Sequence, residues 1–458
     1  MSIDAEKLAD VEWEPAEQME GEAVYLRERV RALEDELLAI KLSRSYRVTQ
    51  RLLRSRYGRL LHRVARILIP DQGGIGRQRP RRNTSLSLRE RVRRGAPPPL
   101  PATTSSLAGE PTSVVAAPPS FSPEEQAWLE HVTAHRPAAI AVLHPNWRGI
   151  RTSTENLFSY LLFQDETLDA ITAPRVARLI AESACPRVVL SGFPLSYGHL
   201  VRALKKVAPH IRLYVIWHAS FLQSDEPEIW KAFKQIDQFC RDGLIAKWGF
   251  VKQGMAEIVG KTGVPTGFVM NYVRTIPTGP SQPAYDGYGL GIWAIEPIWR
   301  KSPYATLAAT SLFPNARVFC TGQAVQVREF IRFFGINAEI RTEPIPQAEM
   351  PQALARMHLN LYVTLSECAP MLPLESLAAG APCLLGPTSH YFEDHPYLHS
   401  RLVVPSPDRA LVIARYIEQA LAERDQIIAA YQAYAPLYNA RAAQSVRDFL
   451  EVDSSVRL

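Results

Sequence analysis

From Phe121 onward the chain alternates short apolar runs with stretches whose apolar residues recur every three or four positions. Residues 138–143, 187–190, 211–217, 243–246 and 267–270 read as buried strands, and the segments between them read as amphipathic helices. Strands in that rhythm pair in parallel under crossover helices that cover both faces of the sheet. A polar stretch with three prolines, 277–288, interrupts the rhythm, which resumes with candidate strands at 289–293, 316–320, 338–341, 359–363 and 382–385. The expected fold is α/β: two Rossmann-like domains in tandem, with a ligand cleft between the carboxyl ends of their strands. Residues 408–450 carry a long helical pattern, expected to break near Pro436.

The preceding residues follow other patterns. In 22–45, Leu26, Val30, Leu33, Leu37 and Ile40 lie alternately four and three apart among Arg and Glu. That is the seam of a short coiled coil, which would make a homodimer; an amphipathic helix packed on its own protein fits the same spacing. In 46–70, Val48, Leu52, Leu53, Leu60, Leu61, Val64, Ile67 and Leu68 fall at helical spacing among seven arginines. A basic amphipathic helix of this kind sets its apolar face among lipid headgroups and its arginines on phosphates, so an anionic membrane surface is the expected partner. A helix packed on the body with a solvated basic face is the competing reading. Nucleic acid ranks last, because the segment has no reading motif and few aromatics. Residues 71–122 are rich in Pro, Gly, Ser, Thr and Arg and cannot bury enough apolar surface to offset their ordering entropy, so a disordered linker is expected.

Charge sharpens this division. The net charge of +6 over 458 residues conceals a segment, 41–95, with 17 Lys and Arg against Asp71 and Glu90, which leaves −9 on the rest of the chain. A concentrated basic stretch outside the main body points to an anionic surface. The five cysteines are scattered without metal-ligand spacing, which fits a reducing compartment and no structural zinc. The N-terminus is acidic and polar where a signal peptide is basic and then apolar, and no run reaches the ~18–20 apolar residues that span a bilayer. The expectation is a cytoplasmic protein, peripheral at the inner face of the plasma membrane.

The stretch 366–386 looks built for chemistry. It follows the apolar run 359–363 and leads into 374–379, which reads as a helix ended by Gly380. The first N–H groups of a helix lack internal partners and carry the positive end of its dipole, so a strand, loop and helix start in an α/β sheet favour phosphate. Glu367 and Glu375 flank this turn. A loop for phosphate alone would repel carboxylates, so they imply hydroxyl partners, sugar or ribose, beside a diphosphate. The first strand-to-helix loop lacks a full G-x-G-x-x-G, which argues against a dinucleotide cofactor, and no D-x-D occurs, which argues against that metal-binding device.

Several ordered features carry a resemblance. Glu367 to Glu375 form Glu-x7-Glu, followed by Ser376-Leu377-Ala378-Ala379-Gly380-Ala381-Pro382. Upstream stand Phe268-Val269-Met270-Asn271, Ile292-Trp293 followed by Trp299-Arg300-Lys301, and Val318-Phe319-Cys320-Thr321-Gly322. Over roughly residues 138–450 this set resembles the retaining glycosyltransferases of the GT-B fold, family four. The resemblance implies a metal-independent transferase that uses a nucleotide diphosphate sugar as substrate, needs no other cofactor, and acts on a glycan or lipid-linked acceptor in cell-surface polysaccharide synthesis. Together with the patterns read above, it gives the expected domain map: 1–70 coiled coil and basic helix, 71–122 linker, 123–283 acceptor-side domain, 284–430 donor domain and 431–458 C-terminal helix packing back across both.

Carried over by position, Arg300 and Lys301 would neutralise the diphosphate, and main-chain N–H groups around Met371 and Leu372 would meet its oxygens. Glu375, in the first helical turn, would accept from the ribose, Glu367 would hold the transferred sugar, and His218, ending a strand at the cleft edge, would sit near that sugar. Gly149 would allow close backbone approach in the first strand-to-helix loop. Bland readings stand beside these: a solvated basic pair, a carboxylate on a helix dipole, a loop carboxylate in water and a structural histidine. The chain departs from the family at Ala369-Pro370, where glycine is common; Pro370 has no N–H to donate. That departure supports the alternative, a non-catalytic nucleotide-sugar or glycan-binding assembly protein.

Overall fold

The computed structural model describes residues 121–293, 299–301, 303–322 and 325–453. All belong to the compact unit Val114–Leu458. The coiled coil expected at 22–45, the basic helix at 46–70 and the linker up to residue 120 lie outside the described residues.

The first half runs α1 (Pro123–His135), β1 (Ile140–Leu143), α2 (Arg148–Leu157), β2 (Leu161–Phe163), α3 (Ala173–Glu182), β3 (Arg187–Ser191), α4 (Tyr197–Val207), β4 (Arg212–Trp217), α5 (Pro227–Arg241), β5 (Lys247–Phe250), α6 (Met255–Gly260) and β6 (Thr266–Phe268). Its strands pair in parallel in the order β2-β1-β3-β4-β5-β6. The second half runs β7 (Tyr288–Ile292), α7 (Pro303–Thr310), β8 (Ala316–Thr321), α8 (Val325–Phe333), β9 (Ala338–Arg341), α9 (Met350–Ala355), β10 (Leu359–Tyr362), α10 (Met371–Ala378) and β11 (Cys383–Leu385), with a parallel sheet ordered β11-β10-β7-β8-β9. These are two tandem Rossmann-like domains. Helices α11 (Pro396–Leu402), α12 (Ala410–Ala422) and α13 (Arg424–Leu450) follow.

The strand alternation expected from a period of two divides the apolar residues between two cores. Val188, Leu190, Leu213, Val215 and Trp217 pack into one, on the outer face of the first sheet. Val189, Tyr214 and Ile216 point the other way, into a core that continues through α13 into the second half. Helix α13 is the strap between the halves. At its start the Arg424 guanidinium donates to the carbonyls of Ser281 (2.8 Å), His358 (3.2 Å) and Gly380 (3.3 Å). At its end Phe449 packs edge-on against Tyr214, and the Leu450 carbonyl accepts from Arg187 Nε at 3.1 Å and Tyr214 OH at 3.3 Å.

Four local expectations are corrected. Residues 243–246 are not a strand: Gly243, at φ +69°, closes α5, and the N–H groups of Leu244 and Ile245 both return to the Phe239 carbonyl, so the strand is the next apolar run, β5. Strand β2 carries only three residues, too few to show a period. Helix α10 begins at Met371, three residues before the expected start, with Pro370 as N-cap. Helix α13 runs unbroken through Pro436, and the break falls at Glu423. Proline removes one internal hydrogen bond, at a cost of roughly 3 kcal/mol. Here Pro436 and Gln432, whose carbonyl loses its partner, both face water, while Tyr431, Tyr434, Ala435 and Tyr438 hold the other face in the core.

The seat of Phe449 is made by two glycines. A Cβ on Gly249 would lie 2.9 Å from the Phe449 ring and one on Gly267 would lie 3.2 Å from it. Phe449→Ala should therefore cost ~3–5 kcal/mol and Gly249→Ala ~1–3 kcal/mol, both read by denaturant unfolding. Because the two changes act on one contact, the double variant should lose less than the sum; strict additivity would contradict this packing.

Candidate functional site

A cavity of about 1000 Å³ opens where the carboxyl ends of the two sheets meet. Much of its wall comes from segments that follow strands: 146–150 after β1, His218 after β4, Val251 after β5, Trp293 after β7, Gly322 after β8 and 367–372 after β10. Arg300, Lys301, Gly149, His218, Glu367, Met371, Leu372 and Glu375 all line it.

Positive potential comes from three sources. Helices α2 and α10 both start at the cavity, and neither N-cap residue, Trp147 or Pro370, makes a side-chain cap. Their first N–H groups have no partner inside the helix. Of the four N–H groups that a helix start leaves without an internal partner, Pro370 at the N-cap and Pro373 in the third helical position supply none, and Met371 and Leu372 retain theirs. The third source is the pair Arg300 and Lys301, on a 3-10 turn Trp299–Lys301. The Arg300 carbonyl accepts from the N–H groups of Leu365 (2.7 Å) and Ser366 (3.1 Å), which locks the turn to the loop carrying Glu367.

The two carboxylates have different settings. Glu367 Oε1 accepts from Tyr362 OH at 2.9 Å and from Arg300 Nη1 at 3.3 Å, while Oε2 has no partner among the described residues. The Glu367 and Arg300 side chains are only 14% and 16% exposed, so their attraction is weakly screened. Glu375 lies in the second turn of α10, not the first, because the helix starts early; support of the helix start by its charge is thereby excluded. Burial pushes its carboxyl up to about 7, against hydrogen bonds from Gln347 and Thr152 that pull it down. Gln347 Nε2 reaches Glu375 Oε1 at 3.2 Å and Thr152 Oγ1 at 2.7 Å, joining α10 to α2.

His218 is held by a hydroxyl relay. Thr154 donates to the Ile150 carbonyl at 2.7 Å, so Ser191 must donate to Thr154 at 2.6 Å, and the Ser191 oxygen is left to accept from His218 Nε2 at 3.0 Å. This count of protons sets the tautomer with the proton on Nε2. Burial pushes the imidazole down to about 3, which keeps it neutral. Gly149 is the second residue of α2, not a loop residue, and a Cβ there would meet nothing within 4 Å. Protein packing thus makes no demand for glycine, and the space is open cavity. Arg148 donates to the Ile345 carbonyl at 3.2 Å, and Arg151 pairs with Glu155 at 2.6 Å.

Residues to which the sequence assigned no site role complete the wall's support. Asn271, 1% exposed, accepts from Ser153 of α2 at 2.6 Å and donates to the Ala369 carbonyl at 2.9 Å, while its own carbonyl accepts from Tyr438 of α13 at 2.8 Å. Gln347, Thr152 and Tyr362 hold the carboxylates, and no local pattern marks any of them. Among the described residues no group of three or more His, Cys, Asp or Glu side chains is placed to hold a metal ion.

No protein-family model and no curated protein matches this chain. Solved structures do match in fold. HepE from Anabaena in complex with UDP-glucose is 12% identical, with a TM-score of 0.53 over 68% of this chain and 99% of HepE. HepE with UDP and glucose is 13% identical, with a TM-score of 0.53 over 72% of this chain and 96% of HepE. The likeness establishes the two-domain GT-B architecture.

Glu375 sets a pH test. Its folded pKa stands above the ordinary 4.5, so between 4.5 and about 7 the folded state binds more protons than the unfolded chain, and stability falls as pH rises through that window. Glu375→Gln removes this titration. The variant should gain on the wild type by on the order of 2–3 kcal/mol between about pH 4 and pH 8 in urea unfolding. A difference independent of pH would contradict the burial of this carboxylate.

Proposed function

We propose that the chain is a retaining glycosyltransferase that moves a sugar from a nucleotide diphosphate sugar to a glycan or lipid-linked acceptor in cell-surface polysaccharide synthesis. The observation that carries this reading is the meeting, in one cavity, of two uncapped helix starts and a basic pair with two largely dehydrated carboxylates. Diphosphate needs the former and hydroxyls need the latter; a nucleotide sugar presents both. HepE, with the same architecture, has been solved with UDP-glucose, a ligand of that class.

In this reading Arg300, Lys301 and the N–H groups of Met371 and Leu372 hold the diphosphate and stabilise the charge it gains as the glycosidic bond breaks. Glu375 accepts from the ribose hydroxyls. Glu367, steadied through Oε1, offers Oε2 to the transferred sugar. Neutral His218, its Nε2–H committed to Ser191, accepts a hydrogen bond at Nδ1 without adding positive charge beside an oxocarbenium-like centre, and Gly149 leaves room for close approach. Transfer is front-face: the bond from the anomeric carbon to the phosphate oxygen breaks, the acceptor oxygen bonds to the same face, and its proton passes to the departing phosphate. The fixed cations and helix ends supply the neutralisation, so no metal is needed. Approach of the two halves excludes water and protects the donor.

The first half, 123–283, would take the acceptor and the second, 284–430, the donor. The proposed homodimer through 22–45 and the tether to the inner face of the plasma membrane through 46–70 concern residues outside those described; among the described residues no helix is long and apolar enough to cross a membrane. The non-catalytic alternative draws on Pro370, which takes away one of the four donors a helix start offers and leaves those of Met371 and Leu372.

A nucleotide diphosphate sugar at 100 times its dissociation constant should stabilise the protein by ~2.7 kcal/mol in a thermal-shift panel. Glu367→Ala and Glu375→Ala should each abolish transfer with circular dichroism unchanged. Full turnover by the double variant would refute the assignment, and sugar conversion without acceptor would favour an epimerase.

A further inference from the structure

The loop between β10 and α10, which carries Glu367, is gripped from the first half of the molecule. Ser220 Oγ lies 3.4 Å from Ser366 Oγ, and Asn271 donates to the Ala369 carbonyl. Between them Lys252, two residues past β5, donates from Nζ to the Glu367 carbonyl at 3.2 Å and to the Thr388 carbonyl. Lys252 is the charged member of the three, and its setting is unusual. Burial pushes its ammonium below the ordinary lysine range, against the pull of Cys368, Glu367 and Glu393. Its hydrogen-bond partners are two main-chain carbonyls, and it forms no ion pair with a carboxylate among the described residues. Dehydrating an ammonium is costly, and a lysine with no task would keep its head in water.

The two carbonyls explain the placement. Glu367 belongs to the loop after β10 and Thr388 to the loop after β11, neighbouring strands of the second sheet. One ammonium from the other half therefore ties two second-half loops together at the backbone of Glu367. A carboxylate partner would have balanced the charge without fixing any backbone; neutral carbonyls instead convert the charge into position.

We propose that Lys252 is a positioning residue, an ammonium from the first half that fixes the backbone of Glu367 and brings this carboxylate to its working place when the two halves are together. The proposal rests on the transferase reading for the role of Glu367, but the grip itself does not. Lys252→Met keeps the length and loses the donors. Lys252→Arg keeps the charge and can serve two carbonyls.

Hydrogen exchange on the ligand-free protein tests the grip. In Lys252→Met, exchange in the 364–374 peptide should rise ~10-fold or more with the remainder of the second half unchanged, and Lys252→Arg should stay near wild type. Equal exchange in wild type and Lys252→Met, or a rise spread over the whole second half, overturns the proposal. With UDP-glucose as donor probe, Lys252→Met should lower kcat ~10- to 100-fold with donor KM within about twofold, and Lys252→Arg should recover most of it. A raised KM at unchanged kcat overturns the positioning role. Absence of turnover by the wild type counts against the transferase reading, and the exchange comparison then decides the grip alone.

Discussion

The molecule turns on one buried carboxamide. Asn271 stands where the chain leaves the first sheet, and its polar groups have three partners: a serine of α2, the backbone of the Glu367 loop and a tyrosine of α13. A buried amide left unpaired costs ~1–3 kcal/mol for each missing bond, so these three elements are held to one geometry or the site comes apart. What they hold is the facing of two helix starts across a cleft. An uncapped helix start is a liability unless something negative fills it. Two of them at one cavity, with Arg300 and Lys301 on its wall, make an electrostatic demand that a diphosphate meets.

The carboxylates resist the simplest version of that account, because a cavity built for phosphate alone would not place Glu367 and Glu375 on its wall. Their environments separate their tasks. Glu367 lies beside Arg300, with Oε1 engaged by Arg300 and Tyr362. Glu375 is dehydrated until its carboxyl rises to about 7, so near neutrality it exists in both forms, and a ribose diol can donate to it or accept from it.

The fold was largely legible from periodicity, since buried parallel strands and amphipathic crossovers differ sharply in spacing. The failures have local causes. Leu244 and Ile245 are apolar but belong to the closure of α5, where the positive φ of Gly243 turns the chain. Met371-Leu372-Pro373 looks like a loop because proline suggests a break, yet in the first helical turn a missing N–H costs nothing. Pro436 looks like a break as well, and tertiary packing on its buried side overrides it. The site residues on the Glu-x7-Glu stretch and the Arg-Lys pair were legible because they are close in sequence. Lys252, Thr152 and Gln347 were not: Lys252 meets Glu367 across 115 positions and Gln347 meets Thr152 across 195. Contacts of that span leave no period in the sequence.

The most direct measurement of the central claim is a crystal structure with UDP-glucose bound. The account predicts the diphosphate at the start of α10 within hydrogen-bond distance of Arg300 and Lys301, ribose hydroxyls on Glu375 and the sugar against Glu367. A donor bound outside this cleft, or one whose phosphates face the carboxylates and not the helix start, would contradict it.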